Sequence, residues 1–429
     1  MTRHIAISLF LVCCHASVVL ADYFHAKQLL HHGEQAQAMS HFRELAMRGH
    51  IDSQYRLALL YRDLGNKASL EQAYAWILLA KNNGHILANS LFKDIRRGLA
   101  SKRQAKQSYL TLRNSIGISA LRQSLFPVFT EHIGVWPKSE SLKIHTRLST
   151  QVRTRLKRTY KQAWAIFIFD VDWLGRITLP QVIASFPDET VGTFLTPYVS
   201  EQRFSPNLES NDVLQQRNRV SQLVSVGYKT QIPDAHIQAV TSLADKGSAD
   251  HQLALALLHQ YGYLASKPSA WEPLLRSAIN GQMDSQYHLA RCLRLGQHCQ
   301  QDTAKALKWL EFSAMTGLNH AQFQIALQER DEDRLSRLAN NGYLPAIIAA
   351  IDQHRQKNTQ MSRHFAYKLA MQASLLYPES LRLLSLAAKL ANDLGQYQQA
   401  TQLHTATEAL ATELRLPKQF MLKLQNEHD

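Results

Sequence analysis

GHIDSQYRLALLY, residues Gly49–Tyr61, is written again as GQMDSQYHLARCL at Gly281–Leu293, 232 positions further along the chain. Asp-Ser-Gln-Tyr is identical in both copies, and Leu-Ala follows at the same offset. Gly247 and Gly317 extend the pattern to four copies. Five residues after each glycine stands Gln (Gln54, Gln252, Gln286, Gln322), and six after stands Tyr55, Leu253, Tyr287 or Phe323. At eight and nine stand Leu57-Ala58, Leu255-Ala256, Leu289-Ala290 and Ile325-Ala326. Glycine spacings of 35 (Gly49 to Gly84), 34 (Gly247 to Gly281) and 36 (Gly281 to Gly317) set the period.

A second helix shares this period. Ala73 and Ala306 stand eleven residues before Gly84 and Gly317, and Trp76 and Trp309 stand eight before them. The unit is a helix–turn–helix whose glycine closes the second helix in a left-handed cap. Asp52 and Asp284 stand at N-cap spacing for the next helix. Tyr55 and Tyr287 stand at core spacing, three residues before an Ala on the same face. A period of 34 to 36 residues predicts a helical solenoid. These residues resemble the Sel-1-like repeat, a relative of the tetratricopeptide repeat, over about 42–100 and 236–330. Leu335–Ile351, with Gly342, reads as a worn unit. Residues 364–412 read as a terminal tetratricopeptide-like pair with a Gln-rich outer face, as expected of a cap.

Between 136 and 232 the pattern stops. Trp164–Val171 is aromatic and β-branched and reads as a strand, Leu174-Gly175-Arg176 as a turn, and Ile177–Phe186 as a second strand. Asp188 caps a helix that Pro197 disturbs, and Arg217–Tyr228 alternates as a third strand. Upstream, Leu148, Val152, Leu156 and Tyr160 give one apolar helix edge. This order resembles the C-terminal domain of TonB-family proteins, through Val171-Asp172, Gly175, Ser185-Phe186-Pro187 and Arg203-Phe204-Ser205-Pro206. The resemblance implies a small sheet packed by helices, with an edge strand that accepts a partner strand. Energy transducers of that family carry a Pro-rich linker; this chain has no Pro-rich stretch, and its domain stands between helical repeats.

Ile5 to Leu20 is largely apolar behind Arg3, and Val19-Leu20-Ala21 fits a cleavage site, so residues 1–21 read as a secretory signal peptide. About 16 apolar residues are short of the roughly 20 a membrane span needs; a retained inner-membrane anchor is the rival reading. After cleavage two cysteines remain, Cys292 and Cys299. Disulfide, free thiols and a zinc set with His288 and His298 stay open. The chain has 429 residues and a net charge of +14. In an exported chain such charge points to envelope polymers, lipid headgroups or acidic proteins rather than nucleic acid, or to a solubilising surface.

No phosphate loop, Gly-x-Ser-x-Gly elbow or His-Glu-x-x-His motif is present. Asp170 and Asp172 flank a turn, where Asp is a turn former. His31, His32, His41 and His50 read as solvated. The expected architecture is mainly α: leader 1–21, Sel-1-like repeats 22–135, a TonB-C-like α/β domain 136–232 holding two arms apart, repeats 233–330, and a cap 331–429. The expected function is non-enzymatic: a periplasmic protein–protein adaptor without cofactors or metal. Its candidate partner strand is marked by Val220, Gln222, Val224, Val226 and Tyr228. The alternatives are an envelope-polymer binder (peptidoglycan or acidic glycan) using Arg153, Arg155, Lys157, Arg158 and Lys161, and an energy transducer if the N-terminal segment stays as an anchor.

Overall fold

The computed structural model describes residues 23–99, 101–130, 150–172, 175–204, 217–228, 232–261, 263, 271–357, 359–378, 380–413 and 416. The leader lies outside them. Before the sheet come α1 (Tyr23–His31), α2 (Gln35–Met47), α3 (Ile51–Asp63), α4 (Lys67–Asn82), α5 (Ala88–Gly98), α6 (Lys102–Ile116) and α7 (Ile118–Ser124). The middle holds α8 (Thr150–Thr159), β1 (Ala163–Val171), β2 (Ile177–Phe186), α9 (Glu189–Ser200) and β3 (Arg217–Val226). Then follow α10 (Asp234–Asp245), α11 (Ala249–Gln260), α12 (Trp271–Ile279), α13 (Met283–Leu295), α14 (Thr303–Met315) and α15 (Asn319–Glu329). The end is α16 (Glu332–Asn340), α17 (Leu344–Gln356), α18 (Gln360–Leu376), α19 (Leu381–Asp393) and α20 (Tyr397–Glu413). The protein is mainly helical, built of repeated helix pairs, with one small sheet.

The repeat is a joint before it is a pair of helices. Gly49, Gly84, Gly247, Gly281 and Gly317 sit at φ between 88 and 107°, where a side chain is strained. The next N–H turns back to the carbonyl five residues earlier: His50 to Leu45, His85 to Ala80, Ser248 to Leu243, Gln282 to Ser277, Leu318 to Ser313, at 2.9–3.1 Å. This is the Schellman closure. After Gly49, Gly247, Gly281 and Gly317 it makes the next residue the N-cap of the following helix; after Gly84 the helix starts later, with Leu87 as N-cap. His50, Ser248 and Gln282 accept from the N–H groups of Ser53, His251 and Ser285. Asp52 and Asp284 are therefore not caps. They stand one step inside the helix and are buried.

In four of these joints, all but that of Gly84, the Gln has a fixed task. Its amide donates to the carbonyl three residues before the glycine, always an Ala: Gln54 to Ala46 (3.3 Å), Gln252 to Ala244 (3.0 Å), Gln286 to Ala278 (3.1 Å) and Gln322 to Ala314 (2.9 Å). Its oxygen accepts from the residue before the next glycine. Asn83 donates to Gln54 and Asn280 to Gln252 at 2.9 Å, and Thr316 to Gln286 at 3.0 Å. One side chain thus pins three helices.

The two arms touch, which corrects the expectation of arms held apart. Ile86 N–H donates to Asn280 Oδ1 (3.4 Å), Gln286 Nε2 meets His50 Nε2 (3.3 Å), Arg48 pairs with Glu311 (3.2 Å), and Trp309 Nε1 donates to the Leu125 carbonyl (2.8 Å). A single apolar core contains Leu57 and Trp76 of the first arm and Leu253, Leu289 and Trp309 of the second. His50 lies inside it, between the Tyr23 and Phe312 rings, and is not solvated. A separate core fills α16 to α19.

The sheet runs β2-β1-β3, all antiparallel, with β1 buried along its whole length. Alternation divides its side chains between two cores. Trp164, Ile166 and Ile168 join the repeat core; Ala165, Phe167, Phe169 and Val171 face α8 and α9. The sheet is thus a middle layer. Asp188 caps α9 by accepting from Thr190 N–H, and α9 continues through Pro197. At Gly175 (φ 78°) an added Cβ would stand 2.0 Å from the Phe204 carbonyl oxygen, so that position admits no side chain.

Replacing Gln252 by Leu keeps the volume roughly and removes both bonds. The Ala244 carbonyl then keeps one donor, and Asn280 keeps only the Arg276 carbonyl as acceptor. A loss of about 2–4 kcal/mol is expected in urea unfolding; unchanged stability would mean that apolar packing alone sets the joint.

Candidate partner-binding surface

The candidate strand β3 has β1 on one side, and among the described residues no strand pairs with its other side. The marked side chains are spent internally. Val220, Val224 and Val226 fill the core under α8 and α9. Gln222 Nε2 donates to Gln202 Oε1 (3.0 Å), and the Tyr228 hydroxyl meets His236 Nδ1 (3.0 Å). On the opposite face Leu223 packs against the repeat core, and Ser221 Oγ accepts from the Tyr261 hydroxyl (2.9 Å). What remains is its outer main-chain edge, which no strand pairs among the described residues. The outer edge of β2 differs: Pro180 has no N–H, and Arg176 bridges Arg203 at the strand's start.

Arg219 fixes β3 to the repeats. It sits at φ 54° beside the irregularity between Phe169 and Val171. Its N–H donates to Asp170 Oδ1 (2.7 Å), and its guanidinium pairs with Asp284, lies 3.9 Å from Asp170 and donates to Gln181 (3.2 Å). Asp284 also accepts from Gln282 (3.2 Å). All three charged groups are buried. Burial raises the Asp170 carboxyl, and the Arg219 charge opposes that rise. Asp172 accepts from the Arg176 backbone (2.8 Å) and its Nε (2.7 Å), tying the hairpin. Asp172 is thus occupied in holding the turn, and Asp170 in holding Arg219.

The first copy of the phrase uses its Asp differently. Asp52 accepts from the Tyr23 hydroxyl, pairs with Arg56 (3.4 Å) and meets His85 Nε2 (3.1 Å). Burial pushes the Asp52 carboxyl up, but His85, Arg56 and Tyr23 together hold it well below the usual range. Tyr55 stacks on His85 at 4.2 Å, half-buried; Tyr287 meets His320 edge-on at 5.3 Å, buried. Nothing in the repeated motif marked Asp284 as the mate of Arg219. Nor did the strand single Arg219 out, since Arg217, Asn218, Ser221, Gln222 and Ser225 make β3 polar at many places.

Arg153, Arg155, Lys157, Arg158 and Lys161 are all exposed on and just after α8, whose Val152 and Leu156 are buried. Arg155 lies over the Phe194 ring at 5.3 Å. Cys292 and Cys299 form a disulfide with Cα atoms 6.1 Å apart, so neither sulfur serves a metal. The bridged loop holds the segment leading to the sheet. Gln300 N–H donates to the Val128 carbonyl (2.9 Å), Thr130 N–H to that of His298 (3.2 Å), and Phe129 stacks on Trp271 at 4.9 Å. Among the described residues no helix is long and apolar enough to cross a membrane.

No family model matches the sequence. No curated protein matches it either. Among solved structures the chain is similar to a protective antigen of uropathogenic Escherichia coli displaying an SLR fold, with 15% identity, 91% of this chain and 78% of that chain covered, and a TM-score of 0.33. It is also similar to yeast Tom70, with 12% identity, 91% of this chain and 76% of that chain covered, and a TM-score of 0.25. The repeat fold rests on the joints themselves.

Two outcomes follow from the buried charges. Asp284→Ala strands the Arg219 guanidinium and is expected to cost roughly 3–5 kcal/mol, read as a lower urea midpoint; a shift under 1 kcal/mol (roughly) would show the pair is dispensable. Burial pushes the imidazoles of His50 and His288 down to about 4 and that of His320 to about 3. These side chains are neutral when folded and titrate near their ordinary value when unfolded. Their contribution is complete above pH ~6.5 and is lost as pH falls towards ~4, about 3 kcal/mol each. Urea midpoints measured between pH 7 and 4.5 should fall steadily, and a flat profile would contradict the burial.

Proposed function

We infer that this chain is a non-enzymatic adaptor for protein partners, working outside the cytoplasm, with β3 as its capture strand. The observation that carries the reading is the contrast between the two sheet edges. The β2 edge is blunted by Pro180 and closed at its start, whereas Val220–Val226 contains no Pro or Lys to deter a partner strand. A partner strand would add its main chain there, in the mode known as β-augmentation. The sheet's resemblance to TonB-family C-terminal domains favours the same mode. The leader pattern and the Cys292–Cys299 disulfide favour the periplasm, an oxidising compartment. The helix pairs supply further surface for envelope protein partners.

Val224 lies in the core, so a Pro there would damage the domain as well as the edge. A cleaner test places a photocrosslinking residue at Ser225 and recovers adducts from envelope fractions. Hydrogen exchange is then measured on the purified complex. Slower exchange of the amides of residues 220–226 is expected on capture. Protection confined to the helices would assign binding to the repeats and sink the strand-addition reading.

A further inference from the structure

The positive charge of this protein is not spread evenly along its sequence. Residues 95–169 contain fifteen Lys and Arg against two acids, Glu131 and Glu140, a net +13 of the chain's +14. The remaining chain is almost neutral. Within that tract α5 and α6 each pack on α4 through Leu91, Ile95, Ala105 and Tyr109. Their outward sides carry Arg96, Arg97, Lys102, Arg103 and Lys106, all exposed, around the short link between the two helices. Arg97 pairs with Asp94 at 3.1 Å, itself exposed. Among the described residues no carboxylate pairs with Arg96, Lys102, Arg103 or Lys106. Five like charges within eleven residues repel one another, a cost that a bound polyanion removes.

We propose that the α5–α6 corner binds an acidic polysaccharide. Three features select that chemistry. No large apolar side chain is exposed between Leu64 and Val128, so nothing on this corner inserts into a bilayer. The aromatic groups nearby, Phe92 and Tyr109, are half-buried and buried, so no platform stacks unpaired bases. The cations stand on the last turn of α5 and the first turns of α6, a span of eleven residues. A stiff duplex, with a persistence length of about 50 nm, cannot bend to so short a span. A flexible chain with one carboxylate per sugar follows it, and three of the five cations are Arg, whose planar fork suits carboxylates. Lys102 and Lys106 stand one helical turn apart on the same face, about 6 Å along the axis. The exposed cations of α8 form a second surface of the same sign, separate in the chain.

The test uses the full chain and polygalacturonate as probe, with duplex DNA and vesicles of anionic phosphatidylglycerol in phosphatidylcholine as comparators. One variant carries Arg96→Gln, Lys102→Gln, Arg103→Gln and Lys106→Gln. A second carries Arg276→Gln, Arg291→Gln, Lys357→Gln and Lys368→Gln, four exposed cations elsewhere, with the same loss of net charge. Far-UV circular dichroism checks that both fold. The expected result is at least about tenfold weaker polygalacturonate binding for the first variant and less than about twofold for the second. Binding of the native chain should weaken at least about tenfold between roughly 50 and 200 mM salt. Equal losses in both variants would reduce the effect to net charge and overturn the proposal. Unchanged binding by the first variant, or tighter binding of duplex DNA or vesicles than of polygalacturonate, would overturn it too.

Discussion

The structure depends on a buried glutamine that holds a carbonyl already in use. In each of the four joints that carry it, the Ala carbonyl three residues before the glycine accepts the glycine's own N–H at 3.0–3.1 Å (Ala46, Ala244, Ala278, Ala314) and, on its other lone pair, the Gln amide of the following helix. Ala is the residue that leaves this carbonyl approachable. Gln is the side chain that carries donor and acceptor far enough to reach it and the next unit together. A Glu there would lack the donor and bury a charge. Because the bond needs the Schellman turn to place the carbonyl, glycine, alanine and glutamine form one device. The Leu-Ala positions pack around it.

That device explains how much of the fold was legible. Gly, Gln and Leu-Ala lie within nine residues of one another, so their spacing shows in a single chain. The strands were legible for a similar reason: aromatic and β-branched runs alternate over short distances, and β1 to β3 fall where those runs predict. The caps were misread because Asp is a good cap by habit, while the Schellman turn hands that position to whatever follows the glycine, here His50 and Gln282. The contact between the arms was not legible. His50 and Gln286 stand 236 residues apart, and no local period encodes such a meeting.

The site shows the same division. Exposure of the basic α8 face followed from a helix with two apolar residues among many cations. The fixing of β3 did not. Arg219 meets Asp284 across 65 residues, and Asp284 belongs to a motif whose other copy binds Tyr23, Arg56 and His85 instead. A repeat supplies the same carboxylate at equivalent places, and tertiary context gives each its own use. With one face of the sheet against the repeats and the other under two helices, its side chains are engaged, and among the described residues no strand pairs with the outer edge of β3.

The clamp between residues 128–130 and the disulfide loop also bears on how the protein is made. The first arm completes its core only with Trp271, Leu289 and Trp309, which are synthesised well over a hundred residues later. Until they emerge, the apolar flank of α3, α4 and α7 has no permanent cover. Contacts of such long sequence separation are slow to form, and partly built chains with open apolar flanks aggregate. Closing the first arm onto α12–α14 spans the greatest sequence separation in this core, and is therefore the step expected to be slowest.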